Sequence, residues 1–404
     1  MAELADRLSE VGTIVDWLRS QSDEGARIAL TMNKGSTARA SYGGGSYALK
    51  RVADMIERGE HREKVELAIG GKLFGGWTGV SVSLALDAIS GAFSLSLATK
   101  DDASGAPIAI APDDRCQLRI AGEVVIDGWV DAVAPSISAQ EHRVQVDGRD
   151  KTGDLADCSA IYKAGSWSNA KLETIAAALV QPFGISVTAQ ASTGAAIRKF
   201  AIQQGETVQA AIERLLRFRG LIAVASATGD LIITTPATGA PIAALELGIN
   251  IKSANGRRDH RERFSDYVVK GQAQGDDQRH GKAASQVRGE AKDAGVRRYR
   301  PLLIVAEDQA DTASAVTRAK FEAGVRAGRS KGVEIVVAGW RVAPKGQLWR
   351  PNLRVRVKCA PAGFPDDVLL ITAVVLRKDS EGTTATLTCA PPEAMAQLVE
   401  KEGK

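Results

Sequence analysis

The feature that most constrains this chain is the alternation in Gly70–Ala98, GGKLFGGWTGVSVSLALDAISGAFSLSLA. Val80, Val82, Leu84 and Leu86 share one parity, and Phe93, Leu95 and Leu97 share another. Successive side chains of a strand point to opposite faces. Strict period two therefore describes an antiparallel sheet with one dry face and not a doubly wound parallel sheet. Gly71 and Gly76, the latter directly ahead of Trp77, suit a tight turn or a close strand crossing. The opposite face carries Ser81, Ser83, Ser94 and Ser96. Such a face suits a wet lumen, a subunit contact or plain solvent.

The same period runs through VELAIGG, RCQLRIAGEVVIDGWVDAVAP and HRVQVDGRD, with turns expected at Ala121–Gly122 and at Asp127–Gly128. It returns in YVVKGQ, VEIVVAGW, GQLWRPNLRVRVKCAP, DDVLLITAVVLRKD and GTTATLTCAPP. Between the two regions the texture changes. Residues 168–182 read as a helix capped by Ser168 or Asn169 and ended by Pro182. GISVTAQ reads as a strand. VQAAIERLLRFRG reads as a second helix, capped by Thr207 and stopped by Gly220. LIAVASATGDLIITTP reads as a hairpin turning at Thr228–Asp230. Residues 273–296 read as a long polar loop, and 311–327 as a helix. Apolar spacing of three and four over 3–20, and again over 48–60, predicts two helices in an N-terminal appendage.

This organises the chain as an N-terminal helical extension (1–62), a first sheet domain (63–160), an α+β insertion (161–248), a second sheet domain with a polar loop and a helix inserted (249–395), and a short tail (396–404). The expected fold class is mainly β with an α+β insertion: antiparallel sheet domains, 64–150 making a small barrel or sandwich, plus smaller α+β domains; the resemblance described below implies that the two sheet domains are tail-tube-like antiparallel β-barrels. Trp77 with Gly71 and Gly76 should fix the first strand turn, and Trp349, Pro351 and Asn352 should do the same before the last barrel. A length of 404 residues allows two or three domains with sizeable cores.

Chemistry is hard to find. A formal charge of +4 does not by itself call for nucleic acid. Cys116, Cys158, Cys359 and Cys389 lack the C-x₂-C spacing of zinc or redox sites and read as free thiols. His61, His142, His260 and His280 have no ligand spacing, so no metal is expected. The adjacent acids Asp101–Asp102, Asp113–Asp114, Asp276–Asp277 and Asp366–Asp367 read as turn-capping or solubilising residues, since neighbours in an extended chain point apart. The chain contains no HExxH, GxSxG or Walker loop. Arg257, Arg258, Arg261 and Arg263 interleave with Asp259, Glu262 and Asp266. They read as a surface salt-bridge network, with a charged wall facing passing DNA as the second reading. No catalytic residue and no cofactor is expected. The N-terminus has no signal-peptide core, and no apolar run reaches membrane-spanning length, so synthesis in the cytoplasm is expected.

Several stretches, in this order, resemble the Mu-like phage tail protein P family of baseplate hub proteins. They are VELAIGGKLFGGWTGVSVSLALDAISGAFSLSLA, LETIAAALVQPFGISV, GETVQAAIERLLRFRGLIAVASATGDLIIT, FSDYVVKGQ, GQLWRPNLRVRV and LLITAVVLRKDSEGTTATLTCAPPEAM. The resemblance covers about 64–395, and the first sixty residues depart from it. It implies a homotrimeric structural hub in the tail baseplate of the virion. Each chain would give two tail-tube-like barrels, adapting a six-fold tube to a three-fold central spike, similar to the T4-type hub and to the N-terminal part of type VI secretion spikes. The implied partners are two further copies, the spike protein, the tail tube or a distal tube adaptor, baseplate wedge proteins, and phage DNA in passage without sequence-specific binding. No enzymatic site belongs to this module. The alternatives are the hub of a contractile bacteriocin or secretion-type machine, or a baseplate-borne cell-wall-degrading enzyme.

Overall fold

The computed structural model describes residues 28–32, 38–42, 63–99, 110–138, 142–271, 287–306, 312–343, 346–397 and 399. The chain forms two units, 1–62 and 63–404. In the first, β1 (Ile28–Met32) and β2 (Ala38–Tyr42) make an antiparallel hairpin that the sequence reading did not assign. The helices expected over 3–20 and 48–60 lie outside the described residues.

The second unit begins with β3 (Val65–Ile69), β4 (Lys72–Phe74), β5 (Gly79–Ala85), β6 (Ala92–Thr99), β7 (Arg115–Ile120), β8 (Glu123–Ile137) and β9 (His142–Asp150). The alternation does what its period requires: Val80, Val82, Phe93 and Leu95 are buried, while Ser81 and Ser94 are only half-buried and Ser83 is exposed. Ala121–Gly122 is a turn, as expected. Asp127–Gly128 is not. Both residues lie inside β8, where Asp127 is buried and accepts from Arg115 (2.5 Å) and Gln117 (3.1 Å). Gly128 is there for close approach: a Cβ would sit 2.7 Å from the Asp150 carbonyl carbon and nearer still to the Arg149 carbonyl oxygen.

The insertion holds α1 (Gly153–Asp157), β10 (Ser166–Ala170), α2 (Leu172–Val180), β11 (Val187–Ala189), β12 (Ile197–Ala201), α3 (Val208–Arg217), β13 (Ile222–Ala225) and β14 (Leu231–Thr234). Thr207 caps α3, its hydroxyl accepting from Ala210 N (3.2 Å), and Gly220 follows at φ 64°. The start of α2 differs from expectation. Ser168 pairs with Lys199 in β10 against β12, Asn169 is skipped in that register with a left-handed backbone (φ 49°), and the helix starts after Lys171, which makes no side-chain cap. The turn after α2 contains Pro182 and ends in left-handed Gly184. Leu172, Ile175 and Leu179 face Ile212, Leu215 and Phe200 in a separate apolar cluster.

The chain then continues through β15 (Ala243–Glu246), β16 (Ile251–Arg258), β17 (Asp266–Gly271), β18 (Val287–Lys292), β19 (Pro301–Val305), α4 (Thr312–Arg329), β20 (Lys331–Ala338), β21 (Arg354–Cys359), β22 (Phe364–Asp379) and β23 (Gly382–Ala390). Strand β18 falls in the stretch read as loop. It pairs with β17, and α4 lies across this small sheet on Ala315, Ala319 and Ala323, one small residue per turn. Gly289 makes the approach possible, since a Cβ there would lie 2.6 Å from the Ala315 carbonyl oxygen.

The two barrels expected from the sequence are not formed. Among the described residues, thirteen strands make one open sheet in the order β16-β20-β23-β22-β5-β6-β9-β8-β7-β3-β4, with β15 and β21 branching from β22. The end strands β16 and β4 do not meet. The reason is local: β5 gives its outer edge to β22, in the other half of the chain, and so cannot close on its own half. One apolar core runs through both halves, from Leu67 and Val82 to Ile335 and Leu376.

Candidate functional site

Among the described residues the sheet is joined at one seam and ends at β16, at β4 and, on its branch, at β15. At the seam, Val80–Ala85 of β5 pairs antiparallel with Ala373–Lys378 of β22, setting Val82 opposite Leu376. Both side chains are fully buried. Strand β22 is long enough to serve two neighbours on one edge, β21 over Phe364–Leu370 and β5 beyond it. The change falls at the bulge between Ile371 and Ala373.

The halves on either side of the seam repeat one another. Strands β7, β8 and β9 form a meander whose long middle strand bulges between Val130 and Ala132, and β21, β22 and β23 form another whose middle strand bulges between Ile371 and Ala373. Arg115 faces Trp129 as Arg354 faces Leu370. Ahead of each arginine the same two bonds recur. Asp113 N donates to Val130 O (2.9 Å) and Val130 N to Asp114 O (3.0 Å); Asn352 N donates to Ile371 O (2.9 Å) and Ile371 N to Leu353 O (2.8 Å). Asp113 and Asn352 share a left-handed backbone, φ 70° and 63°, which Asp and Asn tolerate best among residues with a side chain. Beyond each meander, β6 pairs with β9 as β20 pairs with β23, and β5 with β6 as β16 with β20. The match fails at β3, antiparallel to β7, where β15 runs parallel to β21.

Inside the first half, a buried carboxylate fixes the start of β6. Asp150 accepts from Gly91 N (2.6 Å), Ser90 Oγ (3.1 Å), Thr152 N (3.0 Å) and Thr152 Oγ1 (2.5 Å). Burial pushes its pKa up against the opposing pull of these donors. Trp77 and Trp349 are both buried, Gly71 and Gly76 both take φ 80°, and Asn352 also ties the start of β21 to the chain after β14, accepting from Ala237 N (2.8 Å) and donating to Thr235 O (3.0 Å).

The residues considered for chemistry do not converge. Asp259 is held by Arg257 (2.8 Å) and Arg261 (2.5 Å), whose hydrogen bonds hold its pKa below the usual carboxylate range; Arg263 holds Asp293 (2.6 Å) and Arg326 reaches Glu262 (3.4 Å). Of the interleaved charges read as a network, Asp259 pairs within the stretch with Arg257 and Arg261, whereas Arg263 and Glu262 pair outside it and Arg258 donates to Gly363 O (2.7 Å). Arg257, Asp259, Arg261, Glu262 and Arg326 line a cavity of about 440 Å³ with Arg329 and Ser330. Asp114 caps a turn, accepting from Ala111 N (2.8 Å), and Asp366 pairs with Arg356 (3.1 Å). Asp101–Asp102, Asp276–Asp277, His61 and His280 lie outside the described residues. Cys116, Cys359 and Cys389 are buried free thiols and Cys158 is exposed. Among the described residues no three His, Cys, Asp or Glu side chains gather as metal ligands. The sequence reading missed the roles of Gly128 and Asp150; it expected two similar sheet modules but not the strand-by-strand correspondence, whose faint signal is a turn-forming Asp-Asp or Asn-Leu just ahead of Arg115 and Arg354.

Four family descriptions match consecutive parts of the chain. They are the N-terminal domain of Mu phage baseplate assembly protein GpP-like proteins (64–150), the second domain of baseplate hub protein gp44-like proteins (152–235), the third domain of tail protein NMB1110-like proteins (263–320), and the fourth domain of Mu phage baseplate assembly protein GpP (311–398). The chain is 35% identical over 351 residues to baseplate hub protein gp44 of Escherichia phage Mu, spanning 84% of this chain and 91% of that one. It is similar to the crystal structure of the 43 kDa tail protein of prophage MuSo2 from Shewanella oneidensis, with TM-score 0.75 and 34% identity, covering 83% of this chain and 100% of the other. The tail protein from Neisseria meningitidis MC58 shares the fold at TM-score 0.69 and 22% identity, over 83% of this chain and 98% of the other.

Proposed function

Since this chain belongs to the phage Mu-type baseplate hub family and is a structural component of the phage tail baseplate, we propose that three copies close into a ring that adapts the six-fold tail tube to the three-fold central spike. The observation that carries this is the repeat within the sheet. Two halves built on one strand plan, in each of three copies, present six similar positions around a three-fold axis. Tube subunits, or a distal adaptor, would meet the six positions on one side, the spike would sit on the three-fold of the other, and wedge proteins would bind the periphery. The smaller α+β modules, 161–234 among them, stand outside the thirteen-stranded sheet and suit those outer contacts.

The polar face of β5 and β6 suits a lumen for DNA in passage. Ser81, Ser83 and Ser94 lie there beside Asp131, Asp147 and Arg149, around a shallow depression of about 290 Å³. Arg149 is tied up by Asp131 (2.8 Å) and Asp157 (2.7 Å), so the face offers hydroxyls and paired charges and not a basic track that would hold phosphate. The test is solution mass by light scattering with low-resolution imaging. Three chains of 42.6 kDa give about 128 kDa, with a central hole. A particle that stays at one chain's mass at every concentration refutes the proposal.

A further inference from the structure

The last described stretch of the chain touches three parts of the molecule at once. After β23 the backbone makes a 3₁₀ turn, Pro392–Met395, in which Ala394 is buried. On one side this turn lies against the end of α4. Gly328 makes the approach possible, since a Cβ there would stand 2.7 Å from Ala394 N and 3.1 Å from its Cα. Arg329 Nε donates to Ala394 O (3.0 Å). On another side Met395 packs against a small cluster of Leu86, Ile222 and Leu370. Leu86 directly follows β5 and Leu370 lies in β22, so this cluster sits at the seam, while Ile222 belongs to β13 of the insertion. Further along, the chain crosses Gly220, where an added Cβ would meet Val399 Cγ2 at 3.1 Å and Gln397 O at 3.3 Å.

The segment is held lightly. Two of its hydrogen bonds are internal, Ala394 N to Pro391 O (3.0 Å) and Ala396 N to Glu393 O (3.2 Å), and survive detachment. Among the described residues Arg329 supplies the one hydrogen bond that reaches it from another element. Met395 is only half-buried and Val399 is 62% exposed. A cavity of about 510 Å³ opens beside it, walled by Leu86, Ile89, Leu216, Ile222, Met395 and Gln397. The segment thus bridges space that a core element would fill.

The two modules that it touches do not depend on it for a core. The insertion is built on Leu172, Ile212 and Leu215, and the α4 module on Tyr267, Val269 and Ala319. We propose that residues 391–397, with Val399, form a releasable strap that couples these two modules to each other across the seam. Few buried contacts and few hydrogen bonds mark the parts of a fold that open first. Release of the strap therefore frees both modules to move and widens the cavity between them, while the thirteen-stranded sheet stays intact.

The experiment is hydrogen–deuterium exchange of the full chain, read by peptide mass spectrometry, for the unsubstituted protein and for Gly328→Ala and Met395→Glu. Alanine is a better helix former than glycine, so Gly328→Ala leaves α4 itself no weaker and acts only by pushing the strap away. Met395→Glu detaches the strap from the other side, outside both module cores. Each variant should speed exchange about tenfold or more in Val208–Arg217 and in Thr312–Arg329, with Gly79–Ala85 at the seam unchanged. Exchange that is unchanged, or faster only within the strap, shows that it holds nothing and overturns the proposal. Faster exchange in one module alone overturns the coupling. Faster exchange throughout, seam included, makes the segment ordinary core and overturns its release.

Discussion

Gly128 offers a sharp test of why this sheet is built as it is. In a turn, glycine would be needed for a left-handed backbone, and alanine would cost about 1–2 kcal/mol per residue. In the structure Gly128 is in mid-strand and is not left-handed; what it provides is space. A Cβ would stand 2.7 Å from the carbonyl carbon of Asp150 and closer to the Arg149 carbonyl oxygen, both backbone, where contact begins near 3.0 Å. Strand β9 cannot yield easily, because Asp150 is held by four hydrogen bonds from Ser90, Gly91 and Thr152. Gly128→Ala must therefore part β8 from β9 or break that anchor. Overpacking alone costs ~1–3 kcal/mol and loss of a buried hydrogen-bond partner a further ~1–3, so about 2–6 kcal/mol is expected. The control is Gly122→Ala, at φ 83° with nothing within 4 Å of the added carbon, which pays the backbone strain alone. The assay is urea unfolding followed by circular dichroism, comparing midpoints at equal m. If Gly128→Ala is no worse than Gly122→Ala, the close-approach argument is wrong.

Other outcomes follow from single contacts. Leu376→Ala at the seam should destabilise by about 2–5 kcal/mol and Trp77→Ala by about 3–5, read by the same unfolding assay. Arg263 beside Asp293 holds that carboxyl below its usual range. The pair's contribution is therefore full above the unfolded value of ~3.9 and is lost as pH falls through the lower folded value. Asp293→Asn should be less stable at neutral pH and show a flatter acid limb in a pH titration of stability. Burial pushes the thiols of Cys116 and Cys389 up to about 12, so at pH 8 a maleimide should label Cys158 quickly and those two only after unfolding. Labelling of Cys116 in the native chain, detected by peptide mass spectrometry, would contradict the packing of β7.

What the sequence determined by itself is whatever rests on short-range periodicity and local capping. The alternation of Val80–Phe93–Leu97 placed β5 and β6 and told their dry faces from their hydroxyl faces. Thr207 and Gly220 bracketed α3, and Thr228–Asp230 turned the β13–β14 hairpin. These features follow from residues within a turn or two of one another. The tertiary structure decided everything that depends on which edge meets which. Val287–Lys292 looks like loop because its apolar content is low, and it becomes a strand because Tyr267–Val269 and the alanine stripe of α4 receive it. Asp127–Gly128 has the letters of a turn and lies in a strand because another strand's backbone presses there. The expected barrels fail for the same kind of reason. A period-two pattern fixes the face of a strand but says nothing about its neighbour, and β5 pairs with β22, nearly three hundred residues away. Alternation is a property of one segment, whereas closure is a property of pairs of edges, so only the folded chain could show that the described strands make one open sheet.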